Sequence, residues 1–152
     1  MNIPNSLFAR SMEDLNLERA DFHFFSEDEI EDAQIGYRID DDGNPIPDWM
    51  GDNYLVFGED SFIGDPLIVD TADEKMPVYS MMHDDWSSFA KAANSYKQFF
   101  EFLDKIKSSN IADESTKDNL IAEIKSLVPE EEESGFWYGI IQNQYEALNG
   151  IE

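Results

Sequence analysis

After Trp86 the apolar residues of this chain change their spacing, and no other feature restricts its fold as much. Before that point come three short runs, 52–60 (DNYLVFGED), 65–74 (DPLIVDTADE) and 76–82 (MPVYSMM), each rich in β-branched or aromatic residues and bounded by Gly, Asp or Pro. Such runs predict successive strands of an antiparallel meander. From Ser87 to Ser108, by contrast, Phe89, Ala92, Ala93, Tyr96, Phe99, Phe100, Leu103 and Ile106 recur at steps of three and four. That spacing predicts an amphipathic helix covering one sheet face. Residues 116–128 repeat it with Leu120, Ile121, Ile124 and Leu127 before Pro129 ends the helix. A third helix is expected over 130–148, weakened by Gly135 and Gly139. Strands followed by helices predict a single α+β domain, a mainly antiparallel sheet covered by helices.

The front of the chain is less regular. DFHFF (21–25) reads as a short strand, and Ser26 with Glu29 forms an S-x-x-E capping box that opens a short helix over 27–34. IGYRID (35–40) reads as a strand and DDGNPIP (41–47) as a turn. No repeat or flexible linker divides the 152 residues, a length that can bury one core.

Charge is the most unusual bulk property, with 34 acidic against 10 basic residues and a formal net charge of −24. Residues 1–90 hold 22 of the acids and 4 of the bases. Such a field repels nucleic acid and anionic lipid and accelerates encounter with a cationic partner. There are no cysteines, so disulfides, thiolate metal sites and a Cys nucleophile are excluded. With no basic-then-apolar leader and no span of about 18 apolar residues, a cytoplasmic protein is expected.

The run from Pro47 to Trp86, followed by AANSYKQFFEFL, resembles the SUKH superfamily of cell-wall assembly regulator-like and bacterial immunity proteins. The resemblance rests on Pro47 and Trp49, a Gly64-Asp65-Pro66 turn entering a strand that ends in Asp70, then Pro77-Val78-Tyr79, His83 and Trp86. Ala93, Ser95, Phe99, Phe100, Phe102 and Leu103 match the family's closing helix. The match covers about 22–104, and residues 107–152 form a helical extension beyond it. The Leu-Pro-x-x-Tyr and Asn-Gly signature that commonly opens the family has no counterpart here. The resemblance implies a non-enzymatic protein that binds and neutralises a toxin, often a nuclease, or a regulatory scaffold without a toxin.

Candidate chemistry is sparse. Asp65, Asp70, Asp73, His83, Asp84 and Asp85 include metal-ligand types but in no coordinating pattern, and Asp40, Asp41 and Asp42 before Gly43 lack the spacing of a calcium loop. Ser80, His83 and Asp84 lack a nucleophile elbow. A dyad of His83 with Asp84 or Asp85 would make a hydrolase, a third functional class; the alternative is that His83 bonds the turn into the helix and Asp84 or Asp85 caps it. Asp65 and Asp70 are expected to satisfy backbone N–H groups of adjacent turns, and His23 has little context. No phosphate loop or dinucleotide fingerprint occurs, so no cofactor is expected. The contacts expected for a basic protein partner are Asp40, Asp41, Asp42, Asp48, Asp52, Glu59 and Asp60, with Trp49 as a half-exposed anchor like Trp86. EEEE (130–133) reads as a solvated helix start.

Overall fold

A computed structural model describes residues 3–10 and 13–152. Six strands, β1 (Leu15–Asn16), β2 (Asp21–Phe24), β3 (Tyr54–Asp60), β4 (Asp65–Asp70), β5 (Val78–Met82) and β6 (Asp85–Ala93), form one sheet in chain order. Every neighbouring pair is antiparallel. Four helices follow: α1 (Tyr96–Ser108), α2 (Glu114–Leu127), α3 (Glu131–Ser134) and α4 (Phe136–Leu148). The α+β class and the meander expected from the sequence are both present.

Strands β3 and β4 are apolar almost without interruption because both of their faces are buried. Leu55, Phe57, Leu67 and Val69 point to the helices, where Phe99, Leu103, Ile124 and Trp137 complete the main core. Val56, Ile68 and Met81 point the other way, into a smaller cluster closed by Trp49. Ile111, Leu120, Val128 and Ile141 belong to the same core as Phe22 and Leu67, so residues 107–152 finish that core and do not simply trail from it.

Several local expectations are corrected. The helix expected from Ser87 begins only at Tyr96, where the Ser95 hydroxyl accepts from Gln98 N–H at 3.0 Å and Gln98 Oε1 accepts from Asn94 N–H at 2.7 Å. Residues 85–93 are β6 instead. Register shifts along its pairing with β5 let consecutive Ala92 and Ala93 both face the core, so an irregular strand imitates helical spacing. Asp85 therefore caps no helix; its Oδ1 accepts from Ser87 N–H at 3.1 Å at the start of β6.

Residues 35–40 are not a strand. The Gln34 carbonyl accepts from the N–H groups of Tyr37, Arg38 and Ile39, and only isolated bridges from Ile35 to Ile39 and from Ile39 to Pro45 remain. Over 27–34 there are turns and a short 3-10 segment at Asp32–Gln34 in place of an α-helix. Half of the expected capping box forms, Ser26 N–H donating to Glu29 Oε1 at 3.0 Å. The third helix is split at Gly135, whose left-handed backbone (φ 62°) ends α3 and starts α4. Glu131 is not solvated: it is buried, and its carboxylate accepts from Trp137 N–H at 2.9 Å and Tyr138 N–H at 2.8 Å, satisfying the first turn of α4. Among the described residues no helix is long and apolar enough to cross a membrane.

Candidate functional site

Residues 26–66 hold thirteen carboxylates and one cation, Arg38. Part of this stretch packs on the sheet face opposite the helices, with Tyr37, Trp49 and Met50 against the cluster of Val56, Ile68 and Met81. There it forms a groove of about 500 Å³ with Val56 and Pro66 from the sheet, Phe25 and Tyr37 beside them, and the carboxylates of Asp28, Glu29, Asp32 and Glu59 in its walls. The turn bearing Asp28 and Asp32 is fixed to β3 through buried Gln34. Its Nε2 donates to the carbonyls of Ile30 at 2.8 Å and Val56 at 2.7 Å, and its Oε1 accepts from Val56 N–H at 3.0 Å.

Among the described residues, Asp28, Asp32 and Glu59 form no ion pair. Arg38 does not neutralise them, since it pairs with no carboxylate and its buried Nε has no hydrogen-bond partner among the described residues. Tyr37 feels the result: burial raises its phenol pKa, and the negative charges of Glu59 and Asp65 raise it further.

Glu29 is held differently. Its Oε2 lies 3.0 Å from His23 Nε2, while His23 Nδ1 lies 2.7 Å from Asp14 Oδ2. With a carboxylate at each ring nitrogen, only the imidazolium can donate to both. The hydrogen bond to Asp14 is the main reason the His23 pKa is raised. The Ser26 N–H bond, followed by that from His23, lowers Glu29. This cluster was not legible in the sequence, because Asp14 and Glu29 reach His23 from separate segments.

The contact residues expected from the sequence divide. Glu59 lines the groove. Asp41, Asp42, Asp48 and Asp52 are exposed on the loop across the same face. Asp40 is spent on that loop, its Oδ1 accepting from Asp42 N–H and Asn44 N–H at 2.9 Å each. Two of them are buried, contrary to the exposure expected of them. Trp49 is 8% exposed: its Nε1–H donates to the Tyr54 carbonyl, and its ring packs edge-on to Trp86 at 5.5 Å and beside Tyr37 at 6.0 Å. It braces the loop and is not the half-exposed side chain expected, whereas Trp86 is half-buried. Asp60 is 7% exposed, turned to the helix side of the sheet, and its Oδ1 accepts from Asp21 N–H and Phe62 N–H. Asp28 and Asp32, which the sequence did not single out, line the groove with Glu59 instead; their spacing of four was the available signal.

Of the residues that carry the resemblance, Pro47 and Trp49 lie on the loop before β3, Gly64 to His83 along β4, β5 and their turns, Trp86 and Ala93 in β6, and Phe99 to Leu103 in α1. Gly64 precedes β4, in which Asp65 and Pro66 stand first and Asp70 last; Pro77 leads into Val78 and Tyr79 of β5. Asp70 Oδ1 accepts from Ala72 N–H at 3.0 Å, the expected turn role. Asp65 differs, since its Oδ1 accepts from His83 N–H at 3.0 Å and lies 2.8 Å from His83 Nδ1, across two strands. His83 thus pairs with Asp65, and not with Asp84 or Asp85, and it joins two hairpin turns, with no helix beyond it. That bond is the first cause of its raised pKa. Ser80 is buried, while the His83 side chain is half exposed. Among the described residues no group of three or more His, Cys, Asp or Glu is placed to hold a metal ion.

An apolar floor with carboxylates above it can take a basic side chain, its methylenes against Val56 and Phe25 and its cationic head among Asp28, Asp32 and Glu59. No protein-family model, curated protein or solved structure matches the chain.

Proposed function

We propose that this chain is a non-enzymatic, acidic protein-binding module, an immunity-type protein of the SUKH class that binds and neutralises a basic toxin. The observation that carries the reading is the groove whose Asp28, Asp32 and Glu59 carboxylates are held open by Gln34 and left without cations among the described residues. A nuclease must hold phosphates, so its site is cationic. A preset carboxylate surface competes for that site and attracts it over a distance on the order of the ~10 Å screening length. The loop acids Asp41, Asp42, Asp48 and Asp52 extend the same field.

The test identifies the proteins encoded beside this chain and measures binding to any basic one among them at low and at physiological salt. Tight association that slows steeply as salt rises is expected. No binding, or an association rate indifferent to salt, overturns the reading.

A further inference from the structure

Beside the acidic groove stands a group that changes charge near neutral pH. His23 lies on β2 directly opposite Glu59 of β3, and Glu59 and Glu29 both line the groove. The His23 imidazole sits between two carboxylates, its Nδ1 2.7 Å from Asp14 Oδ2 and its Nε2 3.0 Å from Glu29 Oε2. Asp21 shares its face of the strand, and the ring of Phe25 meets it edge-on at 5.4 Å. Among the described residues no lysine or arginine pairs with Asp14, Asp21, Glu29 or Glu59.

A neutral imidazole has one N–H, so loss of the proton breaks one of these two bonds. The surroundings decide which. Asp14 is fixed in place, because its Oδ1 also accepts from Phe24 N–H at 2.9 Å, and it is the closer partner. The remaining proton therefore stays on Nδ1, and Nε2 turns a lone pair on Glu29 Oε2, which it repels. Glu29 Oε1 keeps the Ser26 N–H at 3.0 Å, and Gln34 still ties the turn to β3. Only Oε2 is released, as an open acceptor in the groove wall. The His23 side chain is 34% exposed, so its proton exchanges with solvent.

We propose that His23 is a proton-operated latch on the groove: protonated, it holds Glu29 and offsets the negative field; neutral, it frees Glu29 to act with Asp28, Asp32 and Glu59 on an incoming guanidinium. The inference rests on the reading of the groove as a site for cations. By linkage, a cation that binds better to the neutral form must, once bound, weaken the hold of His23 on its proton. The latch operates above pH 6.5, since Asp14 first and then Glu29 raise the His23 pKa. Binding therefore strengthens as pH rises, while the stability that His23 contributes falls. Arginine is the suited occupant, because its planar fork takes two carboxylate oxygens and keeps its charge throughout that range.

The test follows the full isotope-labelled chain by NMR from about pH 5.5 to about 9.5, alone and with acetylated, amidated tetra-arginine, whose charge is constant over that range. The Ser26 and Glu29 amide shifts are expected to titrate with the His23 ring signals. The peptide binds about tenfold tighter at the top of the range than at the bottom, and saturating peptide lowers the His23 midpoint by about one pH unit, the reciprocal of that tenfold. In His23→Gln the gain disappears although His83 still titrates. Should that variant not fold, Glu29→Gln, which removes the released carboxylate, cuts the gain to about twofold. Ser26 and Glu29 shifts that ignore His23, a midpoint the peptide leaves unmoved, no peptide binding at either extreme, or an undiminished gain in folded His23→Gln overturns the latch. A basic neighbour-encoded protein that fails to bind at any pH, with the peptide results as expected, strikes the toxin reading and leaves the latch standing.

Discussion

The side-chain amide of Gln34 stands beside Val56 where a neighbouring strand would otherwise be. Strand β2 leaves the sheet just after Phe24 pairs with Gly58, and β3 runs on to Tyr54 without it. At Val56 the Gln34 amide both donates to the carbonyl and accepts from the N–H, as a strand partner would. The same side chain decides how far Asp28 and Asp32 sit from Glu59. One buried amide thus links sheet completion to the geometry of the acidic groove.

Replacing Gln34 with leucine keeps the volume and leaves the Val56 N–H, the Val56 carbonyl and the Ile30 carbonyl unpaired. A loss of roughly 2–4 kcal/mol is expected in urea unfolding. Gln34→Glu should lose a similar amount, because a carboxylate cannot donate to the two carbonyls.

Gly58 offers a second test of the same region. A Cβ at this position would sit 2.9 Å from the His23 carbonyl oxygen and 3.0 Å from the Phe24 ring, at the irregular register between β3 and β4. Backbone cannot yield as a flexible side chain does. Gly58→Ala is expected to cost about 1–3 kcal/mol in chemical denaturation and to weaken amide-exchange protection in β2.

The pH dependence follows from His23. Its folded-state pKa is raised above the usual 6.5 by the Asp14 hydrogen bond, with Glu29 adding to it. The stability it contributes is fully present below 6.5 and is lost as pH rises through the higher folded value. The melting temperature of the native chain should therefore fall as pH rises above 6.5, and the fall should be shallower in His23→Gln. An identical slope in the variant would remove His23 as its cause.

In the groove, Asp32→Asn combined with Glu59→Gln should slow association with the basic partner about tenfold at low salt, with circular dichroism unchanged. Neutralising Asp41 and Asp48 on the outer loop should slow it only about twofold. Stopped-flow association rates against salt separate the two.

Some of this was readable in the residues alone and some was not, for definable reasons. Tyr54–Asp60 and Asp65–Asp70 announce themselves because residues buried on both faces produce unbroken apolar runs closed by turn formers. Residues 85–93 mislead, since register shifts opposite β5 break the strict alternation by which a strand is known. Trp49 has the sequence surroundings of an exposed anchor, yet Trp86 and Tyr37 close over it.

The sequence by itself determined the α+β class, the order of most elements and a strongly negative front half. Each follows from hydrophobic period, turn chemistry and formal charge, which act over a few neighbouring residues or need no geometry at all. Only the tertiary structure decided that Asp28 and Asp32 converge with Glu59 and that His83 turns to Asp65. Those relationships join segments distant in the chain, and the pairing that unites them depends on register and burial, which no local pattern encodes.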